Sequence, residues 1–129
     1  MRGMGFVSVR LHVMNPQVRG VSEDITALVD TGATLTKLPT GLLRRLGVKP
    51  HDTRKFVLAD GRLVRRGVGN VMVRINGHMV STEVAFGKPG ERPLVGVTLL
   101  ESAGLAPDPI KRRLVPVNLL MLTACRLPE

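Results

Sequence analysis

The segment Ala27-Leu28-Val29-Asp30-Thr31-Gly32-Ala33-Thr34 holds the residues best suited to chemistry. Asp and Gly are both depleted in strands, yet here they follow directly on an aliphatic run of strand character. A carboxylate at the end of such a run stands at the edge of an apolar layer. Thr31 supplies a hydroxyl that can lock the turn, and Gly32 lets backbone approach the carboxylate closely. Together these parts hold one carboxylate at a fixed angle beside water. The other candidates are weaker. His12, His51 and His78 are far apart and have no Cys or His at ligand spacing, so they read as surface or turn histidines. No metal and no other cofactor is expected. A serine-centred elbow and a phosphate-cradling glycine loop are both missing from the sequence. Cys125 reads as an inert thiol, and Gly67-Val68-Gly69 as a flexible end to a hairpin.

The elements that must position Asp30 are mostly strands. Eighteen Val and eighteen Leu against three Phe make an aliphatic core, and Val favours strands. Phe6 to Met14 alternates, with Val7, Val9, Leu11 and Val13 on one face. Asn15-Pro16 turns the chain into a second strand, from about Arg19 to Val29, with Ile25, Ala27 and Val29 on one face. Thr40 is placed to cap a short helix holding Leu42, Leu43 and Leu46, stopped by Gly47. Two hairpins follow. Asp60-Gly61 is expected to make a two-residue turn after Phe56-Val57-Leu58, and Asn76-Gly77 joins Val71–Ile75 to Met79–Phe86. After the loop Lys88-Pro89-Gly90-Glu91, Leu94-Val95-Gly96 leads into a helix from Val97 to Ala103, ended by Gly104. Asp108-Pro109 breaks the chain again before a last strand, Arg113 to Val117. The reading is a mainly β chain, a closed barrel or a sandwich, with two short helices.

Composition bounds the rest. At 129 residues, 43% hydrophobic and 22% charged, the chain is read as one domain, residues 1–129. One cysteine excludes a disulfide scaffold. Nineteen basic against ten acidic residues give +9, which admits a polyanionic partner. With no Trp, no Tyr and three Phe, however, platforms for stacking bases are lacking, and nucleic acid is not expected as a partner. No apolar run approaches the roughly 18 to 20 residues of a membrane span, so no membrane partner is expected. Arg10 and His12 interrupt the apolar pattern behind Met1-Arg2-Gly3-Met4-Gly5, which argues against a signal peptide and for a cytoplasmic location.

Leu28-Val29-Asp30-Thr31-Gly32-Ala33 resembles the active-site motif of the retropepsin-like aspartic proteases. In that family a hairpin flap follows, and later two apolar residues and a glycine precede a short helix. Here the Asp60-Gly61 hairpin and Leu94-Val95-Gly96 stand in those places. Leu58-Ala59-Asp60-Gly61, Gly104-Leu105, Asp108-Pro109 and Leu114-Val115-Pro116 look closest to the small single-domain prokaryotic members. The resemblance spans about Phe6 to Val117.

What it implies is a closed acid-protease barrel with a flap, acting as an aspartic endopeptidase on extended polypeptide. Asp30, Thr31 and Gly32 become the catalytic residues. Ala33, the flap residues Ala59, Asp60, Gly61 and Arg62, and Leu94, Val95 and Gly96 become substrate-binding residues. The sequence has one Asp-Thr-Gly, and this chemistry needs two carboxylates too close to be ionised together. A homodimer is therefore implied, with Asp30 meeting its mate across a two-fold axis and Thr31 bonding across the contact. The sequence departs from the viral pattern at Thr34 and Val97, where viral members usually carry an Asp–Arg ion pair. The apolar tail Val115 to Leu122 offers an interface in its place. The flap tip is charged instead of glycine-rich. Arg54, Lys55, Arg62, Arg65 and Arg66 crowd this hairpin, so a positive cleft mouth is expected. Two other functions fit the sequence less well: a peptide-binding or dimerisation module on the same fold without turnover, and a basic β-barrel that binds nucleic acid.

Overall fold

A computed structural model describes residues 6–121 of the chain. The readings of Met1–Gly5, Leu122 and Cys125 lie outside the described residues. Strand β1 (Ser8–Met14) pairs antiparallel with β2 (Ser22–Val29), placing Val9 opposite Ala27 and Leu11 opposite Ile25. A short strand not anticipated from sequence, β3 (Thr36–Pro39), leads into helix α1 (Thr40–Arg45). The long strands β5 (Leu63–Ile75) and β6 (His78–Gly87) follow the shorter β4 (Asp52–Val57). Strand β7 (Leu94–Val95) runs into α2 (Val97–Ala103), and β8 (Leu105–Asp108) pairs with β9 (Arg113–Pro116) as a separate ribbon.

The strands form a ring. In order it runs β1-β2-β7-β3-β6-β5, and β5 pairs back onto β1 to close it. Of the two architectures that the sequence allowed, this is the closed one, since a sandwich would leave two separate sheets. Strand β4 hangs outside the ring on β5, as the free arm of a hairpin. The alternation that starts at Val7, just before β1, and runs along the strand explains the closure. Val7, Val9, Leu11 and Val13 all point inward and are buried, against Leu38, Leu43, Val73 and Leu99. Each such side chain contributes roughly 1.5 to 3 kcal/mol by leaving water.

Three local expectations are corrected. Thr40 does not cap α1; it is the first helical residue, and its hydroxyl donates to the Gly87 carbonyl on β6 at 2.8 Å. Asp60-Gly61 is not a two-residue turn. Leu58 and Arg62 close a three-residue loop, with Gly61 N–H donating to Leu58 O and only Gly61 at positive φ (+87°). A two-residue type I′ turn needs positive φ at both central residues, which Asn76 (47°) and Gly77 (83°) do show in the next hairpin. Gly67-Val68-Gly69 is no flexible end, because it lies inside the continuous 13-residue β5. A Cβ on Gly69 would sit 3.0 Å from the Lys49 carbonyl, so this strand needs glycine for close approach.

Candidate active site

Strand β2 delivers Asp30 with its backbone pinned on both sides. Val29 N–H donates to Val7 O on the β1 side at 2.8 Å, while Asp30 N–H donates to Val95 O on β7 at 2.9 Å. The next turn then folds around the carboxylate. Gly32 N–H donates to Asp30 Oδ1 at 2.9 Å, and Ala33 N–H donates to Asp30 O at 3.1 Å. One carboxylate oxygen is thus held by backbone, and the other takes no protein donor among the described residues. Asp30 is half-buried, whereas Thr31 and Gly32 are exposed beside it.

The loop after Asp30 is clamped by the start of α2. Ala33 O accepts Val97 N–H at 2.9 Å, and Thr34 O accepts both the N–H (3.1 Å) and the hydroxyl (2.7 Å) of Thr98. These are the amides that a helix leaves unpaired at its start, and α2 has no side-chain cap to serve them. Gly96 N–H donates to the hydroxyl of fully buried Thr36 at 3.1 Å. Thr36 and Thr98 were not singled out from sequence. Their partners lie 60 and 64 residues away, and nothing local marks a threonine for such a contact.

A cleft of about 550 Å³ opens beside this loop. Gly32, Ala33 and Leu94 line it on the barrel side, with Phe56, Leu58 and Val64 from the β4–β5 hairpin facing them. The structure therefore brings the Asp30 loop, Leu94 and the hairpin stem together. Val95 and Gly96 are buried behind the wall and hold the loop from there. Ala59, Asp60, Gly61 and Arg62 are exposed at the hairpin tip, outside the cleft lining. There Asp60 accepts Arg62 N–H at 3.0 Å and Arg62 Nε at 2.7 Å, and those bonds hold its carboxyl below the usual range.

Three of the five hairpin cations are already matched by acids. Arg54 pairs with Glu83 (3.0 Å), Arg62 with Asp60 (2.7 Å) and Arg66 with Glu91 (2.6 Å). Lys55 and Arg65, opposite each other in the ladder, are exposed and have no acidic partner among the described residues. The mouth is less positive than the residue count suggests.

The Arg66–Glu91 pair is the best-built ion pair here. Both guanidinium Nη atoms grip Glu91, at 2.6 and 2.8 Å, and Arg66 is only 9% exposed. This grip, helped by Lys88 N–H and the Lys37 charge, outweighs burial and lowers the Glu91 pKa to about 2. A carboxyl with a lowered folded pKa adds stability above its ordinary value, and loses it as pH falls through the folded one. Glu91→Gln should therefore cost about 2 kcal/mol at pH 7, discounted for partial exposure. Urea melts at pH 7 and at pH 2.5 check this, since the gap between variant and wild type should shrink at the lower pH. A gap of equal size at both would show that Glu91 stabilises by shape and not by charge.

Comparisons with known proteins bear on the same features. Residues 14–99 match the model of the family described as Aspartyl protease. Among solved structures, the chain is similar to the solution structure of Simian Foamy Virus (mac) protease. The two are 20% identical with a TM-score of 0.52, over 72% of this chain and 90% of that one. At that identity the likeness concerns the fold, and it agrees with the closed ring and its hairpin. No curated protein matches the chain in sequence.

Proposed function

The chain belongs to the aspartyl protease family, and on that premise we propose that it is a retropepsin-like endopeptidase active as a homodimer, with one Asp30 from each subunit. The observation that carries the reading is a carboxylate fixed by Gly32 N–H beside a cleft that the β4–β5 hairpin overhangs. The cleft's mixed wall suits an extended polypeptide, which can pair backbone to backbone with the hairpin strands.

One Asp30 alone lacks a partner to share a proton with. Two, facing across a two-fold axis, are too close to be ionised together, so one keeps a proton. The ionised carboxylate takes a proton from water as its oxygen attacks the scissile carbonyl carbon. The protonated carboxyl hydrogen-bonds the carbonyl oxygen as it becomes an oxyanion. Collapse of the tetrahedral intermediate breaks the C–N bond, and the amine leaves with a proton from the dyad. Gly32 N–H steadies the carboxylate throughout.

The contact that joins two copies draws on an exposed apolar run. Leu119, Leu120 and Met121 are 64%, 82% and 91% exposed, and Thr31 is exposed beside the carboxylate. Such a run favours burial against a second chain. Sedimentation is expected to show a dimer at micromolar protein, with specific activity falling on dilution as dimers separate. Full activity from a species proven monomeric would sink the shared-site reading. Peptidase activity lost along with the dimer in a chain ending at Val117 would support it.

A further inference from the structure

Three ionic side chains converge on one wall of the cleft: Lys37 on β3, Arg66 on β5 and Glu91 in the loop before β7. They are not equally satisfied. Glu91 receives both Arg66 Nη atoms and the Lys88 N–H, at 2.6 to 2.8 Å. Lys37 Nζ stands 3.9 Å from the nearest Glu91 oxygen. Charges attract at that distance, but no hydrogen bond forms. The Lys37 ammonium carries three donors and has no hydrogen-bond partner among the described residues. Its side chain is only 24% exposed, and its stem lies against the backbone at Gly87. Among the described residues the one buried side-chain nitrogen without a partner is Arg66 Nε, so Lys37 Nζ is open to water in the cleft. A bound chain that displaced this water without supplying an acceptor would leave its donors unpaired.

The surroundings decide what would satisfy it. Leu94 is opposite Lys37 in the ladder, Leu35 lines the cleft beside it, and Phe56 faces them from the hairpin. An apolar side chain would fit this wall but would shut water away from the ammonium. A basic side chain would meet two cations and a carboxylate that already accepts three donors. Given the peptidase reading above, we propose that Lys37 makes this part of the cleft a subsite for an acidic side chain of the bound polypeptide. The stem of a substrate Glu or Asp would lie on Leu94 and Leu35, and its carboxylate would accept the free donors of Lys37. The selectivity is assigned to Lys37, which the ladder holds opposite Leu94, and not to the hairpin cations. Arg54 and Arg66 are paired, and Lys55, without an acidic partner among the described residues, is exposed and bathed by water in the same lining.

The test is a set of otherwise identical unstructured peptides in which each position near the cleavage point is in turn Glu, Gln or Lys. With wild-type protein, one position should favour Glu over its isostere Gln by about tenfold in kcat/KM. Lys37→Gln should bring that ratio close to one, and Lys37→Glu should turn the preference at the same position toward Lys. The same peptides are also titrated onto the Asp30→Asn protein, where the Glu-over-Gln ratio should reappear as a difference in affinity. No Glu preference in rate or in binding would overturn the subsite, as would a preference that survives in Lys37→Gln. Absence of cleavage with the binding preference intact would instead count against the peptidase reading alone.

Discussion

Asp30→Asn is expected to lower peptide cleavage by about 10⁴-fold or more while leaving the fold standing. The substitution keeps the shape of the side chain. Its amide oxygen can still accept the 2.9 Å bond from Gly32 N–H, and the backbone bond from Asp30 N–H to Val95 O involves no side-chain atom. Stability should therefore change by less than about 1 kcal/mol. What disappears is ionisation. An amide can neither take a proton from water nor share one with a facing carboxylate, so both halves of the dyad fail together. A mixing experiment sharpens the test. Wild-type protein incubated with a large excess of Asp30→Asn should lose activity as subunits exchange, because a mixed dimer keeps one carboxylate and lacks the pair. Cleavage at the wild-type rate by the purified variant, or indifference of the wild type to excess variant, would remove Asp30 from the reaction.

The parts of this molecule that were legible in sequence are those set by local chemistry. Period-two alternation fixed the inward face of β1, and Val7, Val9, Leu11 and Val13 are all buried there. Gly47 and Gly104 end their helices at positive φ, and Asn76-Gly77 makes its two-residue turn. The turn after Asp30 and the β4–β5 hairpin were readable as turns because Gly32 and Gly61 mark the tight backbone that each one needs. The misses have a common cause. Strands β3 and β8 are short and lack the Leu-Val pair that marks β7 and β9, which are no longer. Thr36 and Thr98 bond to residues 60 and 64 positions away along the chain, and glycine at positions 67 and 69 reads locally as flexibility. Only the Lys49–Pro50 segment packed against β5 shows that these glycines make room. The hairpin cations mislead in the same way, since Glu83 and Glu91 neutralise Arg54 and Arg66 from elements far along the chain. Charge read from a sequence window is a count of one partner only.

Gly96→Ala is the second substitution with a large expected effect, and here the cause is space. The residue has φ −92°, which alanine adopts freely, so backbone strain is not the issue. A Cβ built at this position would lie 2.6 Å from both the carbonyl carbon and oxygen of Leu35, and 2.9 Å from Ala33 O. These are backbone atoms of the loop that carries Asp30, and they cannot swing aside as a side-chain tip would. The loop must retreat. Retreat stretches the bonds from Val97 N–H to Ala33 O and from Thr98 to Thr34 O, together with the bond between Gly96 N–H and Thr36 Oγ1. The expected loss of stability is roughly 2 to 4 kcal/mol, from overpacking and disturbed buried hydrogen bonds. Catalysis should suffer beyond that, because a shift of about 1 Å in a reacting group can cost about 10²-fold in rate. Thr36→Val separates the two contributions. It removes the acceptor for Gly96 N–H at nearly constant volume, so it should lower stability with a smaller loss of kcat in the folded protein. Measuring melting and kcat on both variants, at a temperature where each is fully folded, distinguishes a displaced loop from a merely loosened one. If Gly96→Ala melted and turned over like the wild type, the close approach of the two loops would not be what holds the carboxylate in place.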